Sequence, residues 1–131
     1  MIKMLQALEN ELALLEGLDK VRPITKIDEL EGFDKYAITY EIAKGSNHKK
    51  VKGKQETPIF INSYSNLENG DIAVLQFAEK VKSLLNEGDI SDSNIRSYMA
   101  KYQSSHPQPK MNSRLQAWQT VQVFMIRWEV K

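Results

Sequence analysis

Five lysines crowd residues 43–58, AKGSNHKKVKGKQETP, at Lys44, Lys49, Lys50, Lys52 and Lys54, with Gly45 and Gly53 among them and Val51 the one strongly apolar residue. Ammonium groups on a glycine-containing arm can grip a phosphate backbone, cradle a nucleotide, or order against a partner. The nucleotide cradle fails on spacing. A phosphate-binding loop sets a glycine upstream of Gly-Lys and a hydroxyl residue after it, so that backbone amides wrap the phosphates and the hydroxyl reaches magnesium. Here Gly53-Lys54 has His48 at the upstream position and Gln55 behind it. Nucleic-acid contact stays open, because several cations side by side give sequence-independent affinity. Single-strand binders, however, interleave stacking aromatics with their cations, and the arm has none. A solvated hairpin tip and contact with a protein partner are the other readings of the same residues.

Other reactive side chains are sparse. His48 and His106 are the two histidines, far apart and without a carboxylate at metal-ligand spacing, so they read as surface residues. Glu9, Glu11 and Glu16 have no histidine at helical spacing and read as the solvent side of a helix. Ser63, Ser65, Ser91 and Ser93 sit in strand-end or turn contexts, and no nucleophile elbow is present. With no cysteine, disulfides, thiolate metal sites and a cysteine nucleophile are excluded. Neither an enzyme nor a cofactor or metal is expected. Trp128 reads as core, whereas Trp118, beside a Pro-containing segment, is equally suited to core or to a binding hot spot. The partner-contact candidates are Lys49, Lys50, Lys52, Lys54 and Trp118.

A chain of 131 residues, 41% hydrophobic and 27% charged, has the size of one domain and the composition of a soluble globular protein. The formal charge of +1 leaves no whole-molecule field to draw nucleic acid or membrane, so any electrostatic function is local. The first residues carry Glu9, Glu11 and Glu16 within their apolar pattern, unlike a signal peptide, and no run is long enough to span a bilayer. The expectation is a mature chain kept inside a cell.

The elements that position these residues follow from periodicity. Leu5, Leu8, Leu12 and Leu15 predict an amphipathic helix over 2–16, closed by Gly17, before an ambiguous piece at 24–30. Tyr36, Ile38, Tyr40 and Ile42 alternate as one face of a strand. PIFINSYS makes its hairpin partner, with Pro58 at a strand start or an edge because it lacks the ladder N–H. The connection, about 13 residues, is long enough to be functional or disordered. A second helix follows through about Asn86, capped by Asp71, with Ile72, Leu75, Ala78, Val81 and Leu85 inward and Lys80 and Lys82 opposite. NIRSYMAKYQ reads as a strand and SSHPQPKMNSR as a loop. In AWQTVQVFMIRWEVK, Val121, Val123 and Met125 line one face while Phe124, Ile126, Trp128 and Val130 line the other. The fold class expected is α+β: a mainly antiparallel sheet of four to five strands with two helices on one face, in the order helix, hairpin, helix, strand, strand. The whole chain, 1–131, is one domain with a mobile Lys-rich loop at about 44–57. Two helices leave part of that last strand for something else to cover.

The stretch TPIFINSYSNLENGDIAVLQFAEKVKSLLNE, then a Tyr-containing strand and the closing VQVFMIRWEV, resembles the tail-terminator (tail-completion, head-tail joining) proteins of long-tailed bacteriophages. In that family a helix leads to a hairpin whose second strand ends in a polar turn near an aromatic, here Tyr64, and a helix and two strands follow. The resemblance implies a structural virion protein and not an enzyme. It would form a homohexameric ring that docks on the last ring of the tail tube protein, stops tube polymerisation, and turns its other surface to the head connector, or stopper, protein. It would act in the host cytoplasm during assembly and reside in the virion tail or neck, with DNA passing through the ring. No catalytic residue comes with it. It gives the lysine arm two tasks, ordering against the tube or lining the DNA path, of which tube contact is favoured. Another neck or minor capsid component, or a small nucleic-acid-binding module using the lysines, are the alternatives.

Overall fold

The computed structural model describes residues 2–43, 49–51, 54–105 and 108–131. Helix α1, Ile2–Leu12, buries Met4, Ala7, Leu8 and Leu12 on one side. It stops four residues short of the expected end. Leu14 N bonds to Glu11 O and Leu15 N to Leu12 O, the tighter three-residue spacing that unwinds a helix terminus, and Gly17 turns the chain at φ +87. Strand β1, Leu18–Pro23, follows, and a 3-10 helix, Ile24–Leu30, occupies the stretch that the sequence left ambiguous.

Among these residues the sheet has seven strands: β1, β2 (Tyr36–Ile42), β3 (Lys49–Val51), β4 (Lys54–Ser65), β5 (Ile95–Ser105), β6 (Lys110–Asn112) and β7 (Ala117–Val130). Its order is β1-β2-β4-β7-β5, with β3 beside β4 and β6 beside β7. The sheet is mainly antiparallel as expected but mixed, because β1 runs parallel to β2, pairing Val21 with Ile38 and Pro23 with Tyr40, and seven strands replace the expected four to five. The centre is an antiparallel ladder of β4 and β7 from Gln55 opposite Trp128 to Ser65 opposite Trp118. Each long strand is flanked on its outer side by two shorter ones: β2 and β3 along β4, and β5 and β6 along β7.

That arrangement explains Pro58, which stands inside β4 and not at its start. Its carbonyl accepts from Ala43 N, and in an antiparallel ladder the N–H of the same residue would point the same way. Pro58 therefore falls between the β2 and β3 pairings, with its missing N–H on the side away from β7, so the central β4–β7 ladder loses no bond by having proline. Within the expected loop of 44–57, β3 and the first residues of β4 form a short hairpin extension with Lys49 opposite Glu56 and Lys50 opposite Gln55. Lys44, His48 and Lys52 lie outside the described residues.

Helix α2, Gly70–Leu85, matches the expected span, and Ala78, Val81 and Leu85 of the expected stripe face inward, but Ile72 and Leu75 do not. Ala73, Val74, Phe77, Ala78, Val81 and Leu85 face inward, whereas Ile72 is 55% and Leu75 38% exposed. Apolar residues occur on too many sides of this helix for period alone to choose. Phe77, whose ring stacks on Tyr36 at 4.4 Å between centroids, decides it. Asn69, not Asp71, is the N-cap; Asp71 lies in the first turn, where its carboxylate meets the positive end of the helix dipole. Lys80 is exposed, but Lys82 folds its ammonium over the Tyr102 ring at 4.3 Å.

Helices α1 and α2 cover one face of the sheet, over Ile38, Tyr40, Ile59, Ile61, Phe124, Ile126 and Trp128. The 3-10 helix belongs to the opposite face, correcting the two-helix, one-face expectation. There Leu30 and Phe33 join Ala37, Tyr64 and Ala117 in a second, smaller buried cluster. Tyr64, the aromatic of the family resemblance, is fully buried in it, with its hydroxyl 2.9 Å from Thr39 Oγ1.

Candidate interaction surface

The second cluster ends partway along the back of the sheet. Beyond it, Pro58 and Phe60 of β4 and Val121, Val123 and Met125 of β7 alternate outward from the helix-covered side, and they belong to neither buried cluster. Phe60 pairs across the ladder with Val123, and Pro58 with Met125, and all five side chains are half-buried. Neighbours at such cross-strand spacing touch, so they form a continuous apolar strip. Glu56, Lys101, Gln103, Met125 and Arg127 enclose a shallow depression of about 440 Å³ at its end. Arg127 Nε donates to Glu56 Oε1 at 2.6 Å, a cross-strand pair that fixes both on this rim. The assignment of β7 faces made from sequence holds through Trp128: Phe124, Ile126 and Trp128 are sealed beneath the helices, and Val121, Val123 and Met125 look the other way, but Val130, expected with the first group, is 54% exposed.

The edge strands β1 and β5 are guarded against strand addition. On β1, Arg22 Nη1 donates to Val21 O, Lys20 Nζ donates to Glu29 O, and Pro23 ends the strand. Short, charged, proline-terminated strands are the usual protection of an open edge. Along β5, Glu87 N bonds to Ala100 O, Ala100 N to Gly88 O, and Tyr102 N to Asn86 Oδ1, and two register shifts interrupt the strand. These contacts make the β1 and β5 edges poor sites for strand addition.

The sequence candidates separate. Lys49, Lys50 and Lys54 are strand residues on the hairpin extension, away from Trp118. Lys52 and both His48 and His106 lie outside the described residues. Trp118 is half-buried at the start of β7 and seats its indole against the first turn of α2. A Cβ on Gly70 would stand 2.7 Å from Trp118 Cδ1 and 3.0 Å from Ser65 O. Gly70→Ala is thus expected to displace the indole, red-shifting tryptophan emission and costing about 1–3 kcal/mol by overpacking. Unchanged emission and stability would mean that the indole is not held there.

Ser63 and Ser65 are buried under α2; Ser65 Oγ accepts from Leu67 N, and Ser63 Oγ has no partner among the described residues. Ser91 Oγ donates to Ser97 O and accepts from Ser97 N, while Ser97 Oγ accepts from Ile90 N, which makes both serines structural. Glu9 departs from its expected solvent role. Half-buried, it acts on Tyr40, whose pKa is raised to about 12 by burial first, then by the Glu9 charge and hydrogen bonding with Glu9, with Arg22 opposing. Tyr40 and Glu9 border a groove of about 830 Å³ between α1 and β1, with Val21 and Arg22 on its other wall. Among the described residues no three His, Asp or Glu side chains are placed to hold a metal ion. What sequence reasoning missed is the apolar side of α2 left outside, Ile72 and Leu75. It was hidden because those residues fit an inward stripe as well as Val74 and Phe77 do. No protein-family model matches the chain, and no curated protein matches it.

Proposed function

We propose that this chain is a structural virion protein, a tail terminator whose copies close into a ring on the end of a tail tube, stop its growth and offer their far surface for head joining. The observation that carries this reading is the uncovered strip of Pro58, Phe60, Val121, Val123 and Met125 on the two longest strands of a sheet whose β1 and β5 edges are guarded. An apolar strip of this kind marks a protein-contact surface. Contact between a face and a different surface of the next copy is heterologous, the geometry from which rings are made. The order helix, hairpin, helix, strand, strand supports the resemblance to tail terminators, with β1, the 3-10 helix and β6 as additions. In this reading the hairpin extension carrying Lys49, Lys50 and Lys54 reaches toward the tube protein.

Sedimentation velocity and electron micrographs of the purified protein, with and without tail tubes, test it. A ring, or monomers that cap tube ends, is the expected result. A monomer indifferent to tubes that instead binds DNA with a steep salt dependence, lost when the arm lysines become Gln, would replace this reading with a nucleic-acid-binding module.

A further inference from the structure

We propose that Asn69-Gly70 is a site of spontaneous modification, at which the asparagine loses its side-chain nitrogen as ammonia through a cyclic imide and the start of α2 is rewritten. The proposal is independent of the ring reading. Asparagine is among the chemically labile residues, and it cyclises most readily before glycine, where no side chain shields the following amide nitrogen. Asn69 is the one asparagine of the chain that precedes glycine. It is exposed, and although it occupies the N-cap of α2 its side chain makes no capping hydrogen bond. Other asparagines are tied down: Asn62 Oδ1 accepts from Gln119 Nε2, Asn66 Nδ2 donates to Phe33 O, Asn86 Oδ1 accepts from Tyr102 N, and Asn112 Nδ2 donates to Gln119 Oε1. Gly70 N, the attacking atom, belongs to the first helical residue, a position whose N–H has no partner within the helix. Packing holds the glycine in place. A Cβ there would stand 2.7 Å from Trp118 Cδ1, so the residue that permits the chemistry is the one that the indole requires.

In the reaction Gly70 N, on losing its proton, attacks Asn69 Cγ. The new N–C bond closes the imide ring, the Cγ–Nδ2 bond breaks, and the departing nitrogen takes up the proton and leaves as ammonia. Solvent water then opens the ring at either carbonyl. Addition at Cγ leaves aspartate at position 69; addition at the backbone carbonyl leaves an isoaspartyl linkage, in which the chain runs on through the former side chain and is longer by one methylene. The ring cannot close from the helix as it stands, with Asn69 at ψ 41 and its carbonyl accepting from Ile72 N and Ala73 N. Bringing Cγ onto Gly70 N turns ψ away from that value and breaks both bonds, and Gly70 is itself buried. The reaction therefore runs when the first turn of α2 frays, an opening that element ends undergo at low cost. The two products differ in effect. Aspartate keeps the backbone and sets a full negative charge at the positive end of the helix. The isoaspartyl chain displaces Gly70, which has Trp118 Cδ1 and Ser65 O packed where its Cβ would be, so the indole must yield.

The full chain, kept folded in mildly alkaline buffer and sampled over days, tests the site by peptide mass mapping and by labelling with isoaspartyl methyltransferase. Conversion is expected first at Asn69, with ammonia released in step, and it should be lost in Asn69→Ser, which keeps a capping residue but has no amide. Asn69→Gln, which would have to close a larger ring, takes its place as the control if the serine variant proves unfolded. Urea removes the need for fraying and should speed the reaction several-fold. The isoaspartyl fraction of aged protein, separated by chromatography, should show red-shifted tryptophan emission, whereas Asn69→Asp keeps the emission of fresh protein. An Asn69 that stays intact in the folded chain, or converts no faster than the other asparagines, would overturn the site. Equal rates in urea and in buffer would overturn the fraying step, and unchanged emission in the isoaspartyl fraction would overturn the effect on Trp118.

Discussion

Trp128→Ala is expected to lower the unfolding free energy by about 3–5 kcal/mol, the range for truncating a buried aromatic to alanine. Trp128 is fully buried, faces the helices from β7, and stands among the largest side chains in the core. Its Nε1 donates to Thr57 Oγ1 at 3.0 Å across the β4–β7 ladder, so the substitution removes a buried donor as well as volume. Domains of this size are stable by only about 5–15 kcal/mol, so a large share of the margin goes. Urea denaturation followed by circular dichroism measures it. Trp128→Phe keeps most of the volume and loses only the indole N–H, so it should recover more than half of the deficit. Equal losses in the two variants would mean that the hydrogen bond, and not the packing, dominates at this site.

Raising the pH above 10 is expected to unfold the protein progressively, with the buried tyrosines as a main cause. Burial pushes the Tyr64 hydroxyl up to about 12, opposed by its bond with Thr39 and reinforced by the Glu41 charge. Between the ordinary value of 10.0 and about 12, the unfolded chain releases a proton that the folded chain keeps. The stabilisation is therefore complete below pH 10 and is lost as pH climbs toward 12, as linkage requires for a group whose pKa is raised on folding. Two pH units at one site correspond to an effect on the order of 2–3 kcal/mol. Tyr40 adds a smaller share, because its hydroxyl borders the groove beside α1. Tyr64→Phe should flatten the alkaline limb of stability against pH while costing roughly 1 kcal/mol near neutrality through the lost bond to Thr39. An unchanged alkaline limb in that variant would show that other groups govern the transition.

Long, strongly patterned segments were legible before the structure. The Tyr36–Ile42 alternation, the two-faced Ala117–Val130 strand and the span of α2 all came from residue spacing, because each buries a stripe wide enough to impose its period. The missed strands β1, β3 and β6 are six, three and three residues long. They carry the charges and proline that protect an edge, so their sequences argue against strand for a physical reason. The orientation of α2 was illegible because Ile72 and Leu75 are as apolar as Val74 and Phe77. A helix that is apolar on more than one side has no single preferred side. Of the candidate contacts, Trp118 is half-buried, and nothing in its neighbourhood of sequence pointed to Gly70, whose missing Cβ makes room for it.

The β4–β7 ladder joins partners more than fifty residues apart in the chain, with α2, β5 and β6 between them. During synthesis, β4 waits beside β2 with its inner backbone groups unmatched until Ala117–Val130 has been made. A chain interrupted before that point would present a twelve-residue strand rich in isoleucine and aromatic side chains to the surrounding medium, the kind of exposed strand on which aggregation begins. Truncated products of this protein should therefore aggregate or be degraded, whereas the finished chain closes its sheet only when its last strand threads into the middle.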